Sequence, residues 1–298
     1  MTSQISVLLI VNPISGDIDK ENIVQQIKEK AHLENFLLNI HETTGKNDVK
    51  TISKLIEQLK PTRAWVMGGD GTVSLVAQCL LETDIILGIL PSGSANGLAY
   101  NIGLPNEIEG QVKVALSPHI LKIDVVFING YPCLHIADIG INAELVKNYE
   151  NSNIRGKLGY LLQSIPTIFQ SDSPYNFTIE TSEGVVEETG ILLAIANAKK
   201  FGTGANINPT GEINDGLFEI LVFKNLDFIE ILKTVRDQPE MSSDFVSLIS
   251  TDKAKVTTKT KACFQIDGEF MGEIQSADIS IKKQVLNLTV PKDFLDRH

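Results

Sequence analysis

The chain has 298 residues, 43% of them hydrophobic and 21% charged, with a net charge of −11. That length has room for about two domains, and the composition excludes a disordered chain or a fibre. The acidic balance argues against a nucleic-acid partner, which needs a basic face, and it restricts any contact with anionic lipid to a local patch.

Met1 to Val11 carries no basic n-region, and Asn12-Pro13 stops its apolar run after one strand's length, so it reads as a strand and not a signal peptide. Asp19–Ala31 reads as a polar helix, Phe36–His41 as a strand, and Asp48–Leu59 as a helix with Val49, Ile52, Ile56 and Leu59 on one face. Ala64–Met67 is a third strand running into Gly68-Gly-Asp-Gly-Thr72, Val73–Leu81 a helix, and Ile85–Leu90 a fourth strand ending at Pro91. This alternation predicts an α/β domain, a parallel sheet covered by helices, over residues 1–122.

After Lys122 the pattern changes. Ile123–Ile128, Cys133–Ile141, Tyr175–Glu180, Val185–Thr189, Ile191–Asn197, Leu217–Phe223, Lys253–Lys259, Cys263–Ile266, Ala277–Lys282 and Gln284–Val290 read as strands. Helices are expected only near Lys157–Phe169 and Phe228–Thr234. Residues 123–290 are therefore expected to form an antiparallel β-sandwich domain. No apolar run nears the about 18 residues needed to span a bilayer. Cys79, Cys133 and Cys263 form no C-x-x-C pair, which fits a reducing compartment and three buried thiols. A soluble protein is expected.

Three loops follow predicted parallel strands and so share one sheet edge, where ligands bind in open α/β sheets. They are Asn12-Pro-Ile-Ser-Gly16, Gly68-Gly-Asp-Gly-Thr72 and Pro91-Ser-Gly-Ser-Ala-Asn96. Glycines let the backbone approach an anion, and the following helix N-terminus favours phosphate. Asp70 would repel phosphate alone; it makes sense if it holds Mg²⁺ or takes a proton from an attacking hydroxyl. The bland alternative is a tight turn with an Asp N-cap. No G-x-x-x-x-G-K-[ST] and no G-x-G-x-x-G after the first strand is present, so the P-loop and Rossmann fingerprints are missing. Asn214-Asp-Gly216 and Asp267-Gly-Glu269 read first as hairpin turns. Lys253, Lys255, Lys259 and Lys261 form a basic stripe, either a membrane contact or the protection of an edge strand.

In this order, Asn12-Pro-x-Ser-Gly16, Gly68-Gly-Asp-Gly-Thr72, Pro91-x-Gly-Ser-x-Asn96, Asn214-Asp-Gly216 and Ile266-Asp-Gly-Glu269 resemble the diacylglycerol kinase catalytic-domain family, which includes bacterial lipid kinases and sphingosine kinases. Lys157-Leu-Gly-Tyr160 and Ala194-x-Ala-Asn197 also match family blocks. The resemblance implies an ATP-dependent lipid kinase of phospholipid metabolism, with ATP and lipid meeting between an ATP-binding and a lipid-binding domain. It implies that the last residues, about 291–298, return to the first domain. Asn12, Ser15, Gly16, Thr43 and Thr44 would line the nucleotide, and Gly68, Gly69, Asp70, Gly71, Thr72, Ser94 and Asn96 would hold its phosphates. Asp70, or Glu269 with Asp267, would be the proton acceptor. Asp215 would bind a structural Mg²⁺ together with the carbonyls of Glu212 and Leu217. The resemblance also implies a membrane lipid as substrate, peripheral action at the inner face of the membrane, and room for a homodimer.

The chain departs from the family pattern at two positions. Ser94 stands where diacylglycerol kinases have Thr, and Gly97 where they have Asp, so one carboxylate of the Mg²⁺ network is missing. The Gly-Ser-x-Asn form and Ile136-Ala-Asp138 look more like sphingosine kinases, in which case Asp138 would hold a lipid amine. Other readings are a non-catalytic nucleotide-binding lipid sensor and a kinase for a soluble substrate such as NAD.

Overall fold

Short apolar strands alternate with helices from Ser6 onward. The computed structural model describes residues 4–16, 18–143, 174–201, 205–225 and 241–297. It divides into two units, Met1–Ile123 with Gln284–His298, and Asp124–Lys283.

In the first unit β1 (Ser6–Val11), α1 (Lys20–Leu33), β2 (Leu37–Glu42), α2 (Asp48–Leu59), β3 (Arg63–Gly68), α3 (Asp70–Leu80) and β4 (Ile86–Pro91) follow in order, then α4 (Gly97–Asn101) and α5 (Ile108–Leu116). β2, β1, β3 and β4 pair side by side, all parallel. Buried Val7, Leu9, Val11, Trp65, Met67 and Leu90 meet Ile27 and Ala31 of α1 and Val112 and Ala115 of α5 in one core. Asp19 caps α1 by accepting from the Asn22 N–H. The buried Arg63 guanidinium donates to the carbonyls of Ala115 and Ser117, at 2.6 and 2.9 Å, and satisfies the end of α5. α3 starts at Asp70, three residues before the helix read from the apolar spacing, because extended Gly69 is its N-cap and the glycine turn leads straight into it.

β5 (Ile120–Ile128) leads into the second unit, followed by β6 (Tyr131–Cys133), β7 (Ile136–Gly140), β8 (Tyr175–Thr181), β9 (Gly184–Gly190), β10 (Leu192–Ala196), β11 (Lys200–Phe201), β12 (Ala205–Asn206), β13 (Phe218–Phe223), β14 (Val246–Thr251), β15 (Lys253–Ile266) and β16 (Glu269–Thr289). Within it β14, β13, β10, β7 and the end of β15 run antiparallel in that order. The start of β15 pairs instead with β8, which pairs with β9. A register shift between Thr257 and Ala262 lets this one strand serve both arrangements. The result is the antiparallel, sandwich-like second half expected from the strand rhythm.

Several elements differ from expectation. The two strands read at Lys253–Lys259 and Cys263–Ile266 are one, since no Gly or Pro interrupts them. β15 is therefore paired on both sides over Ala254–Thr257, which removes the edge-protection reading for Lys255, while Lys259 and Lys261 lie in the stretch between its two paired segments. β16 likewise joins two expected strands; Gln284 at φ +53 marks where it passes from one unit to the other. Asn287 and Leu288 then pair in parallel with Ile86 and Leu87 of β4, and α6 (Lys292–Leu295) follows. The strand expected over Cys133–Ile141 is split, because the backbone N–H groups of Leu134, His135 and Ile136 donate to Asp267. The helices expected near Lys157–Phe169 and Phe228–Thr234, and the block Lys157-Leu-Gly-Tyr160, lie outside the described residues.

Candidate functional site

Parallel pairing of β1, β3 and β4 puts their C-terminal ends on one edge, and the three glycine-containing loops meet there. Asn12 N donates to the Met67 carbonyl and Ser92 N to the Gly68 carbonyl, each at 2.9 Å. Asn12 Nδ2 donates to Thr72 Oγ1 at 2.9 Å, and the hydroxyls of Ser15 and Ser92 lie 3.1 Å apart. A Cβ on Gly16 would fall 2.1 Å from the Ser92 carbonyl oxygen, and one on Gly93 2.4 Å from Gly69 Cα. The glycines are thus required by the mutual approach of the three loops, and Gly16 also by its φ of +57°.

Asp70 opens α3 and is partly buried. Its Oδ2 accepts from Gly97 N at 2.8 Å and its Oδ1 from Leu98 N at 3.2 Å. The carboxylate therefore holds the start of α4 and keeps a second lone pair on each oxygen for a cation or a proton. Asn96, at φ +60°, accepts from Gly93 N and donates to Gly93 O at 2.8 and 2.9 Å. Its side chain is used to shape the loop, while Ser94 stands exposed beside it. Gly71 lies in the first turn of α3.

Thr43 N donates to the Val11 carbonyl at 2.9 Å. The neighbouring turn depends on Asp48, which accepts from Thr44 N, the Thr44 hydroxyl and Gly45 N at 3.0, 3.1 and 2.7 Å. Burial pushes the Asp48 carboxyl up, but these bonds and nearby His41 outweigh it and hold the group below the usual carboxylate range.

The remaining candidate residues belong to the second unit. Asp267 and Gly268, at φ +49° and +85°, form the two-residue turn between β15 and β16, as the hairpin reading expected. The Asp267 carboxylate is buried and accepts backbone N–H bonds from Leu134, His135 and Ile136 at 3.0 to 3.2 Å. Its geometry is that of a strut, whereas Glu269, just past the turn, is exposed.

Asp215 is exposed, and its Oδ1 accepts from Leu217 N at 2.9 Å. Gly216 N donates at 2.6 Å to Asp124, fully buried on β5, whose own N–H donates to the Ile213 carbonyl. Asp124 thus fixes the Asp215 loop. A carboxylate inside the apolar run Ile123-Asp-Val-Val126 was the sequence signal that could have identified it. Glu212 pairs with Lys199 at 2.5 Å. Among the described residues no three His, Cys, Asp or Glu side chains gather to hold a metal. A cation at Asp215 would rest on this carboxylate, backbone carbonyls and water, an all-oxygen set that suits Mg²⁺.

Asp138 lies on β7 and is 1% exposed. Asn142 Nδ2 and Gln265 Nε2 both donate to its Oδ2 at 2.5 Å. Burial lifts the carboxyl to about 7, against the hydrogen bonds from Gln265, Asn142 and the Ala143 backbone. Among the described residues, no helix is long and apolar enough to cross a membrane.

Residues 6–128 match the diacylglycerol kinase catalytic domain, and residues 136–290 match the YegS C-terminal NAD kinase beta sandwich-like domain. A diacylglycerol kinase of Bacillus subtilis is 24% identical over 294 residues, covering 96% of both chains. A Klebsiella pneumoniae protein named probable lipid kinase YegS-like is 26% identical over 254 residues, 82% of this chain and 84% of its own. The crystal structure of a diacylglycerol kinase from Bacillus anthracis, 20% identical, superposes with a TM-score of 0.75 over 99% of this chain and 100% of that one, a likeness of fold. With both halves matched, the chain belongs to the diacylglycerol kinase catalytic-domain family, a family of kinases.

Proposed function

We propose that the protein is an ATP-dependent lipid kinase that moves the γ-phosphoryl group of ATP onto the hydroxyl of a membrane lipid, a diacylglycerol or a sphingoid-type lipid. The observation that carries this reading is the convergence of three glycine loops around Asp70 on one edge of the first sheet. Backbone N–H groups of those loops and the N-terminus of α3 suit the polyphosphate. Asn12, Ser15, Gly16, Thr43 and Thr44 border it, with Gly68 to Thr72 and Ser94 nearest the phosphates. Asn96 contributes by shaping the turn.

The lipid hydroxyl attacks γ-phosphorus, the bond from γ-phosphorus to the β,γ-bridging oxygen breaks, ADP leaves, and the hydroxyl proton passes to a carboxylate. Exposed Glu269 suits that role better than Asp267, whose oxygens carry three backbone bonds. Asp70 is the alternative acceptor, and it orients the Gly97 turn in either case. Mg²⁺ bound with ATP would offset the charge on the phosphate oxygens, with Asp70 the residue placed to face it. A second, structural Mg²⁺ would be held by Asp215 and the carbonyls of Glu212 and Leu217. The place of work is the cytoplasmic face of the membrane, met transiently.

The test is phosphate transfer from radiolabelled ATP onto a lipid panel in mixed micelles, with NAD as the soluble acceptor. A labelled lipid is the expected product. ATP binding without any labelled lipid would favour a sensor, and labelled NADP a soluble-substrate kinase.

A further inference from the structure

Gln265 joins two features of the second unit. Its Nε2 donates to buried Asp138, and its Oε1 accepts from Gly268 N at 2.7 Å, inside the turn that precedes Glu269. We infer that Asp138 is a positioning residue for phosphoryl transfer: through Gln265 it fixes the Asp267-Gly268 turn and the backbone that carries Glu269. This rests on the reading of Glu269 as proton acceptor.

The logic is one of hydrogen-bond polarity. An amide can face a neighbour with its carbonyl or its NH2, and only the arrangement that turns Oε1 to Gly268 satisfies that backbone donor. The Asp138 oxygen facing Gln265 accepts and does not donate. It takes NH2 groups from both Gln265 and Asn142, so the flipped amide would set two acceptors against each other in a buried site. Among the described residues no side chain hydrogen-bonds to Asp138 Oδ1, which is buried. A proton taken up there leaves Oδ2 an acceptor, so the orientation holds in both charge states. Asp267 grips the other side of the same turn through the backbone of Leu134 to Ile136, which leaves Gly268 N to Gln265.

The test uses the full chain, labelled ATP, and mixed micelles of bacterial total lipid extract supplemented with dioctanoylglycerol and sphingosine. Asp138→Leu and Gln265→Met should each lower kcat ~10-fold with KM for ATP unchanged, since small misplacement of a reacting group is costly. Asp138→Asn, which keeps an acceptor for Gln265, should recover most of what Asp138→Leu loses. In a Glu269→Gln background Asp138→Leu should cost nothing further. Amide hydrogen exchange at Gly268 should quicken at least ~10-fold in Asp138→Leu and Gln265→Met, as an amide left without its partner exchanges from a more open state. Gln265→Met leaves the Asp138 carboxyl in place and serves if Asp138→Leu does not fold. Unchanged Gly268 exchange, or an equal Asp138→Leu loss with and without Glu269, would overturn the positioning role. So would a loss in Asp138→Asn confined to sphingosine, which would mark Asp138 as an amine reader. Full kcat in Glu269→Gln alone would instead remove the base assignment, with Gly268 exchange still reporting on the strut.

Discussion

Gly93→Ala is the substitution whose effect the geometry fixes best. The new Cβ would lie 2.4 Å from Gly69 Cα, 3.0 Å from Asn96 Oδ1 and 3.2 Å from Gly69 N, whereas ordinary contact begins at 3.4 Å. Gly69 is backbone and cannot rotate away, so the two loops must part by about 1 Å. Gly93 is not in the left-handed region, so crowding is the whole effect. Overpacking of this kind costs about 1–3 kcal/mol, a fall in Tm of roughly 2–10 °C at this size. The functional loss should be larger, because a displacement of about 1 Å in a site of this kind lowers turnover ~10²-fold. Steady-state phosphate transfer and isothermal titration with ATP and Mg²⁺, run beside a thermal melt, separate the two effects. Gly130→Ala is the control: its Cβ meets nothing within 4 Å, and its φ of +85° costs stability alone. A folded Gly93→Ala protein with wild-type ATP affinity would refute the cradle.

Asp70→Asn keeps the size of the side chain but presents an NH2 to one of the donors at Gly97 and Leu98; phosphoryl transfer should fall by ~10² or more, and near-normal kcat in steady-state assays would take Asp70 out of the mechanism. Asp215→Ala should abolish a rise in melting temperature on adding Mg²⁺, since a cation bound only to the folded chain stabilises it by mass action; a wild-type melt indifferent to EDTA would count against the site. Asp138 gives a pH signature: its folded pKa of about 7 lies above its ordinary 3.8, so the unfolded chain ionises first, and the group's contribution to stability falls as pH rises from about 4 to 7. Asp138→Asn removes that penalty, at most about 4 kcal/mol, so its melting temperature relative to wild type should climb between pH 4 and pH 7; a flat difference would show that the carboxyl titrates normally.

Periodicity and loop chemistry made the first unit legible. The parallel strands, and the placing of three glycine turns at their ends, follow from alternation of apolar runs and helical spacing. The second unit was legible as antiparallel strands but less so in their lengths, because nothing in Thr260-Lys261-Ala262 distinguishes a turn from the register shift that carries β15 onward. At the site the missed contributions are of one kind. Asp48 and Asp124 are buried carboxylates that accept from backbone N–H groups, and Asp267 does the same for the chain between β6 and β7. Such a bond names one side chain and leaves its partner anonymous, since every residue except proline offers the same donor. Position 97 shows the consequence. A side-chain pattern registers only the missing carboxylate there, yet Gly97 contributes through its backbone N–H to Asp70, a bond that any non-proline residue able to adopt the turn could form. The carboxylate at Asp70 therefore keeps its hold on α4 with any residue at 97 that has a backbone N–H and can adopt the turn, so the glycine costs the loop no support.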